Sequence, residues 1–269
     1  MTMQVLEAAG ATYDPYPLRR ERAAELGARY AFASQVLGFY SRLTEVQARA
    51  FGEARARPPA PADLPQFVAG RVLPEVVDVT TAAGPRPLVD AAAACLGTAD
   101  LPAMVRAWLE GAAQPPVEAY LARAATQPVL EALGYAPTPI LPGQGAGRTC
   151  PRCGGLPQLS YFALSGEALV SGPRYLVCAR CSHGWVFSRM TCAACGEQEA
   201  ARLPIYQEAD VLPHVRVDGC DRCRHYLLTI DLRKDPRAVP VVDELAALPL
   251  DLYARERGMT KITPNLLGN

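Results

Sequence analysis

Eight of the nine cysteines fall into four Cys-x-x-Cys pairs, Cys150/Cys153, Cys178/Cys181, Cys192/Cys195 and Cys220/Cys223, and their spacing restricts the fold more than any other feature. Twenty-four residues separate the first pair from the second, ten follow, and the same pattern then recurs with a period of 42. The register extends beyond the thiols: Thr149 matches Thr191, Gly154 matches Gly196, Arg174 matches Arg216 and His183 matches His225. Agreement across several residue types predicts a duplicated structural unit.

Two residues between cysteines let both thiolates of a tight turn reach one ion while the turn's amides point at the sulfurs. Each repeat therefore reads as a rubredoxin-like or zinc-ribbon unit, in which two such knuckles converge on one metal. Free thiols or disulfides are the competing reading. Matched repeats with few large apolar side chains favour the metal, because so small a unit needs a staple to fold. Four thiolates in a tetrahedron suit zinc or a single iron, with zinc the default on this chemistry. The metal candidates are Cys150, Cys153, Cys178 and Cys181 at one centre and Cys192, Cys195, Cys220 and Cys223 at the other.

Gly154 and Gly196 follow the first knuckle of each repeat and allow a positive φ. Ser182 and Arg224 hold the same place after the second knuckles, so those turns are expected to differ. The stretches PQLSYFAL, RYLVC, ARLPIYQ and HVRV alternate enough to be strands. His183 and His225 sit too close to complete thiolate sets to be needed as ligands, and His214 reads as ordinary strand surface. Cys95, alone in DAAAACLG, reads as a small buried hydrophobe in a helix.

The first half is helical in pattern. Apolar residues between Leu18 and Phe51 recur at helical spacing, RPPAPADLP interrupts as a loop, and further helices are expected over 88–96, 102–110 behind an Asp100 cap, and 117–133 before Gly134. APTPILPGQGAGR, residues 136–148, reads as a linker; its GQGAG lacks the preceding strand of a phosphate loop. The expected class is α+β: a helical domain over 1–140, four-cysteine metal-ribbon repeats over 149–190 and 191–233, and a C-terminal helical tail over 234–269. Metal removal is then expected to unfold the ribbons and spare the helices.

Charge narrows the function. The 27 basic and 27 acidic residues cancel, and residues 148–233 hold ten arginines against eight carboxylates, too small an excess for a nucleic-acid ribbon. No HExxH or Gly-x-Ser-x-Gly is present, and four protein ligands leave no open metal position for hydrolysis. A rubredoxin-like electron carrier stays open. MTMQVLEAAG lacks the basic and apolar regions of a secretory leader, and no run of eighteen apolar residues occurs, so a cytoplasmic protein without membrane insertion is expected.

The four cysteine pairs in order, RYLVCARCSHGW, TCAACGE and the tail from DGCDRCRHYLLTIDLRKD to TKITPNLLG resemble the FdhE family over 149–268. The resemblance implies a non-catalytic accessory protein for assembly of respiratory formate dehydrogenase, one that binds the catalytic subunit in the cytoplasm before export. It also implies that the eight paired cysteines hold iron in rubredoxin fashion, which moves the expected ion from zinc to iron. In the tail, Tyr226, Asp231, Asp243, Leu245, Leu248 and Asp251 read as a helix with an apolar stripe packed on the ribbons.

Overall fold

The computed structural model describes residues 13–97, 99–134, 147–164, 172–208 and 210–268. The N-terminal stretch read for a leader and most of the expected linker lie outside them. The helical half runs α1 (Tyr16–Arg29), α2 (Ser34–Ala56), α3 (Leu64–Phe67), α4 (Leu73–Ala83), α5 (Arg86–Leu96), α6 (Leu101–Glu110) and α7 (Pro116–Leu133). The apolar stripe expected near the N-terminus is divided between α1 and α2, which pack together around Leu26, Leu37, Leu43 and Phe51. Asp100 caps α6 as its spacing predicts, accepting from the Ala103 amide at 3.0 Å.

One run was not foreseen. Proline-rich RPPAPADLP is irregular only at its start, since Pro65 and Pro74 occupy first-turn positions where the missing amide costs nothing. A π-turn over Val68–Val72 joins α3 to α4 and keeps Val68 and Val72 buried. Pro128 presents the opposite case, standing inside α7. Its absent N–H would orphan the Ala124 carbonyl, and the buried side-chain amide of Gln47 supplies the donor at 2.9 Å.

The second half is one sheet rather than two separate ribbons. Strands β1 (Pro157–Phe162), β2 (Arg174–Cys178), β3 (Gly184–Phe187), β4 (Ile205–Gln207), β5 (Val215–Gly219) and β6 (His225–Asp231) lie in the order β3-β2-β1-β6-β5-β4. Pairing is antiparallel within each repeat, and the repeats join through a parallel contact of β1 with β6, Leu159 opposite Leu228 and Tyr161 opposite Ile230. Tyr226 and Asp231 are thus strand residues, not part of the tail helix. Both β3 and β6 begin at the histidine-glycine or histidine-tyrosine step after a knuckle, where turn signals mask the strand pattern.

The tail forms α8 (Pro240–Ala246) and α9 (Leu248–Glu256), then β7 (Thr260–Lys261), which pairs parallel with the start of β6. A single apolar cluster runs from Leu43 and Leu130 of the helices through Leu159 and Leu228 of the sheet to Val242 and Leu250 of the tail. Across this core lie buried ions. Arg22 grips Asp243 at 2.6 Å and Asp235 at 2.6 Å, and Arg19 forms a fork onto Glu131, which also accepts from Tyr16 at 2.7 Å. Burial alone would push the Glu131 carboxyl upward, but Arg19 outweighs it and holds the group below its ordinary range. Among the described residues no single helix is long and apolar enough to cross a membrane, although α5 and α6 pass that test jointly as a bent pair.

Candidate metal centre

All four knuckles have one backbone design. The residue after the second cysteine donates to the carbonyl of the first: Gly154 to Cys150, Ser182 to Cys178, Gly196 to Cys192 and Arg224 to Cys220, at 2.9 to 3.1 Å. The first cysteine's amide closes the turn by donating to the carbonyl of Gly155, His183, Glu197 or His225. Contrary to the expectation that the second knuckles would differ, Ser182 and Arg224 take φ of 56° and 59° beside 69° and 81° at Gly154 and Gly196. The sulfur geometry demands the left-handed turn whichever side chain must bear it. For a non-glycine residue that costs roughly 1 to 2 kcal/mol. Substituting Arg224→Gly is therefore expected to raise stability by up to about 1 kcal/mol, while Arg224→Val lowers it by at least as much. Urea unfolding of the metal-loaded variants checks this, and a stable valine variant would contradict it.

The turns bring the sulfurs of each repeat together. Within both quartets the four Sγ atoms lie within 4.8 Å of one another. In the first, Cys150 is 3.6 Å from Cys181 and Cys153 is 3.4 Å from both Cys178 and Cys181; in the second, the Cys192–Cys223 and Cys195–Cys220 separations are 3.8 and 3.7 Å. A tetrahedron of thiolates about 2.3 Å from a central ion has edges near 3.8 Å, whereas a disulfide requires about 2.05 Å. The donor set fits a tetrathiolate ion. Hydrogen bonding among the four sulfurs, first that between Cys150 and Cys153, pulls the Cys150 thiol far down, and hydrogen bonding led by Cys150 pushes Cys181 far up.

Close packing protects the first centre. Its four cysteines are buried, and a Cβ at Gly155 would stand 2.8 Å from the Cys178 sulfur, so only glycine fits there. The Arg180 amide donates to Cys178 Sγ at 3.3 Å, and Gln127 of α7 donates to Ser182 at 2.8 Å. In the second centre Cys195 and Cys223 are half-buried. His183 and His225 serve through their carbonyls, and the His225 ring turns back to the Cys223 carbonyl at 2.8 Å. Cys95 lies half-buried on α5 against the helical core, away from both quartets.

His214 does not fit its strand-surface reading. It is buried, with Nε2 2.7 Å from Asp243. His214, Asp235 and Asp243 have metal-ligand spacing, but the Arg22 guanidinium already occupies the cation position among these carboxylates. A second ionic group joins Lys261 to Glu244 at 2.8 Å and to Asp251 at 3.1 Å, where Tyr226 also donates. The sequence pattern places Asp243 and Asp251 on the expected tail helix without naming their partners. A cleft of about 700 Å³ runs beside Cys181 and His183, yet its Arg19, Arg22 and Glu131 are engaged in the pairs described above. No acid, base and nucleophile constellation is assembled there among the described residues.

Residues 190–267, which contain the second quartet and the tail, match the family model described as FdhE, C-terminal domain. By that match this part of the chain is similar to the C-terminal domain of FdhE. Among curated proteins, the "Protein FdhE homolog" of Aquifex aeolicus is 34% identical over 119 residues, 44% of this chain and 41% of that one. The homolog from Shewanella oneidensis is 34% identical over 122 residues, 45% of this chain and 39% of its own length. The chain thus aligns with about two fifths of these FdhE homologs. A crystal structure of the FdhE protein from Pseudomonas aeruginosa is similar over 94% of both chains, with a TM-score of 0.66 and 21% sequence identity. This last likeness is one of fold, and at 94% coverage it takes in the helical half, which lies outside the residues 190–267 matched by the family model.

Proposed function

We propose that the protein is a non-catalytic accessory factor for assembly of a formate dehydrogenase, acting in the cytoplasm by binding the catalytic subunit. The observation that carries this reading is the FdhE match over 190–267 together with two closed sulfur quartets on one rigid sheet. A site with four protein ligands has no position left for substrate, which favours a structural metal over one that acts on formate. Cys150, Cys153, Cys178 and Cys181 would hold one ion and Cys192, Cys195, Cys220 and Cys223 the other. Iron is the proposed metal on the family resemblance, with zinc the alternative; metal analysis and an absorption spectrum of protein purified without oxygen distinguish them.

Deleting the coding sequence should abolish respiratory formate oxidation, and Cys→Ser changes in either repeat should fail to restore it while weakening capture of the catalytic subunit. A deletion strain that oxidises formate normally, with no related protein to substitute, removes the assignment. A second reading, an iron electron carrier, draws on the half-buried Cys195 and Cys223, which put the second quartet nearer solvent. Cys→Ser variants that keep fold and client contact but lose activity would favour it.

A further inference from the structure

Beside the second quartet lies a group of cations that donates to none of its sulfurs. Phe162 ends β1 almost fully buried, and the guanidinium carbons of Arg189, Arg216 and Arg233 stand 4.8, 4.7 and 4.7 Å from its ring centroid. A ring has two sides, so at least two of these three cations share one. The ring attracts each of them modestly. Their mutual repulsion must be offset by anions.

Among the described residues the carboxylates at hand are Asp218 and Asp231, and the second quartet, whose Cys192 lines the same pocket, adds thiolate charge. Arg216 pairs with Asp218 at 2.8 Å and Arg233 with Asp231 at 2.6 Å. Asp218 is shared, because buried Arg174 also takes it at 3.0 Å while donating to Ser160 and to the Ser188 and Thr191 carbonyls. Arg189 has the Gly172 carbonyl and no carboxylate partner among the described residues. Burial, then the charges of Arg233 and Arg216, pull its pKa down. Arg174, Arg189, Arg216 and Arg233 line a pocket of about 190 Å³ together with Asp218 and Cys192. Its other wall is apolar, formed by Leu203, Pro204, Ile205 and Ile262, with Met190 and Ile205 more than half exposed at 52% and 53%.

We propose that this pocket is a carboxylate-binding site in which Arg189 is the principal donor and the Leu203–Ile205 wall holds the apolar body that carries the carboxylate. A planar guanidinium matches a planar carboxylate with two parallel hydrogen bonds, and Arg189, without a carboxylate partner among the described residues, is the cation placed to make them. The apolar wall separates an organic carboxylate from inorganic phosphate, which would gain nothing from it. The site is independent of the assembly-factor reading and does not require it.

The test is a titration of the metal-loaded full chain, following arginine Nε–H resonances, with benzoate, inorganic phosphate and a terminally blocked Leu-Glu-Leu peptide. Benzoate is expected to shift the Arg189 signal saturably with a Kd on the order of 1 mM. Arg189→Gln should weaken binding about tenfold or more, and Arg233→Gln by less, both with metal content unchanged. Phosphate should bind at least about tenfold more weakly than benzoate. Tighter binding of the peptide identifies the natural ligand as an acidic side chain of a docked protein, and tighter binding of benzoate identifies a free organic acid. Three results overturn the proposal: no saturation by either carboxylate at tens of millimolar, unaltered affinity in a metal-replete Arg189→Gln protein, or phosphate binding as tightly as benzoate.

Discussion

Chelating both ions will unfold the helical half together with the sheet, in one transition. Structural tetrathiolate sites contribute on the order of 10 to 16 kcal/mol at neutral pH, comparable to or larger than the whole net stability of about 5 to 15 kcal/mol for a typical domain. The sequence alone suggests that the helices would survive on their own apolar face. Contacts between the halves argue for the opposite outcome, because Arg22 and Arg123 of α1 and α7 are buried against partners in the sheet and tail: Asp243, Gln158 and the Pro264 carbonyl. Gln127 is tied to the first knuckle itself at Ser182. Loss of the sheet would leave these groups unpaired inside the helical half. The two tryptophans report on both sides, Trp108 on α6 and Trp185 on β3. Single-tryptophan variants should show coincident transitions with the helical circular dichroism. Helical signal that persists after the Trp185 signal has collapsed would establish two independent units.

Asp243→Ala should destabilise the metal-loaded protein by about 3 to 5 kcal/mol, the usual penalty for stranding one member of a buried ion pair. Asp243 is fully buried; it takes two hydrogen bonds from Arg22 Nε and one from its Nη2, contacts His214, and accepts from the Val239 amide at 2.7 Å. Its removal leaves the nearly inaccessible Arg22 guanidinium with only Asp235 and Glu25 at its margin. The double change Arg22→Met with Asp243→Leu should recover much of the loss, because the two fully buried charges are then removed together, although the half-buried Asp235 loses a partner. Urea denaturation of the three proteins measures the comparison. A loss under about 1 kcal/mol in Asp243→Ala would mean that solvent reaches the pair.

The sulfur quartets were legible because cysteine spacing is a local constraint: two residues fix a knuckle, and an equal gap of 24 residues fixes which knuckles meet. Helices α5, α6 and α7 were legible for a similar reason, since their periodicity, the Asp100 cap and the Gly134 stop all lie within the segment. What escaped depends on partners far away in the chain. His214 looks like any polar residue on a strand until α8 places Asp243 against it, 29 residues later. The parallel β1–β6 contact leaves no mark in either strand, because its register is set by how two folded repeats dock. The left-handed turns at Ser182 and Arg224 contradict local preference, and only their place directly after a knuckle's second cysteine, shared with Gly154 and Gly196, could have revealed them.

The latch formed by residues 260–265 has a consequence for synthesis on the ribosome. Strand β7 completes the edge of β6, Lys261 neutralises Glu244 and Asp251, and the Pro264 carbonyl receives Arg123 from the middle of α7. Translation delivers α7 well over a hundred residues before its last partner, 141 positions downstream, leaves the exit tunnel. Until then the nascent helices present an uncompensated guanidinium, and the two quartets can take up metal before the chain around them has closed. All eight knuckle cysteines are thus made before the latch that closes the fold is complete.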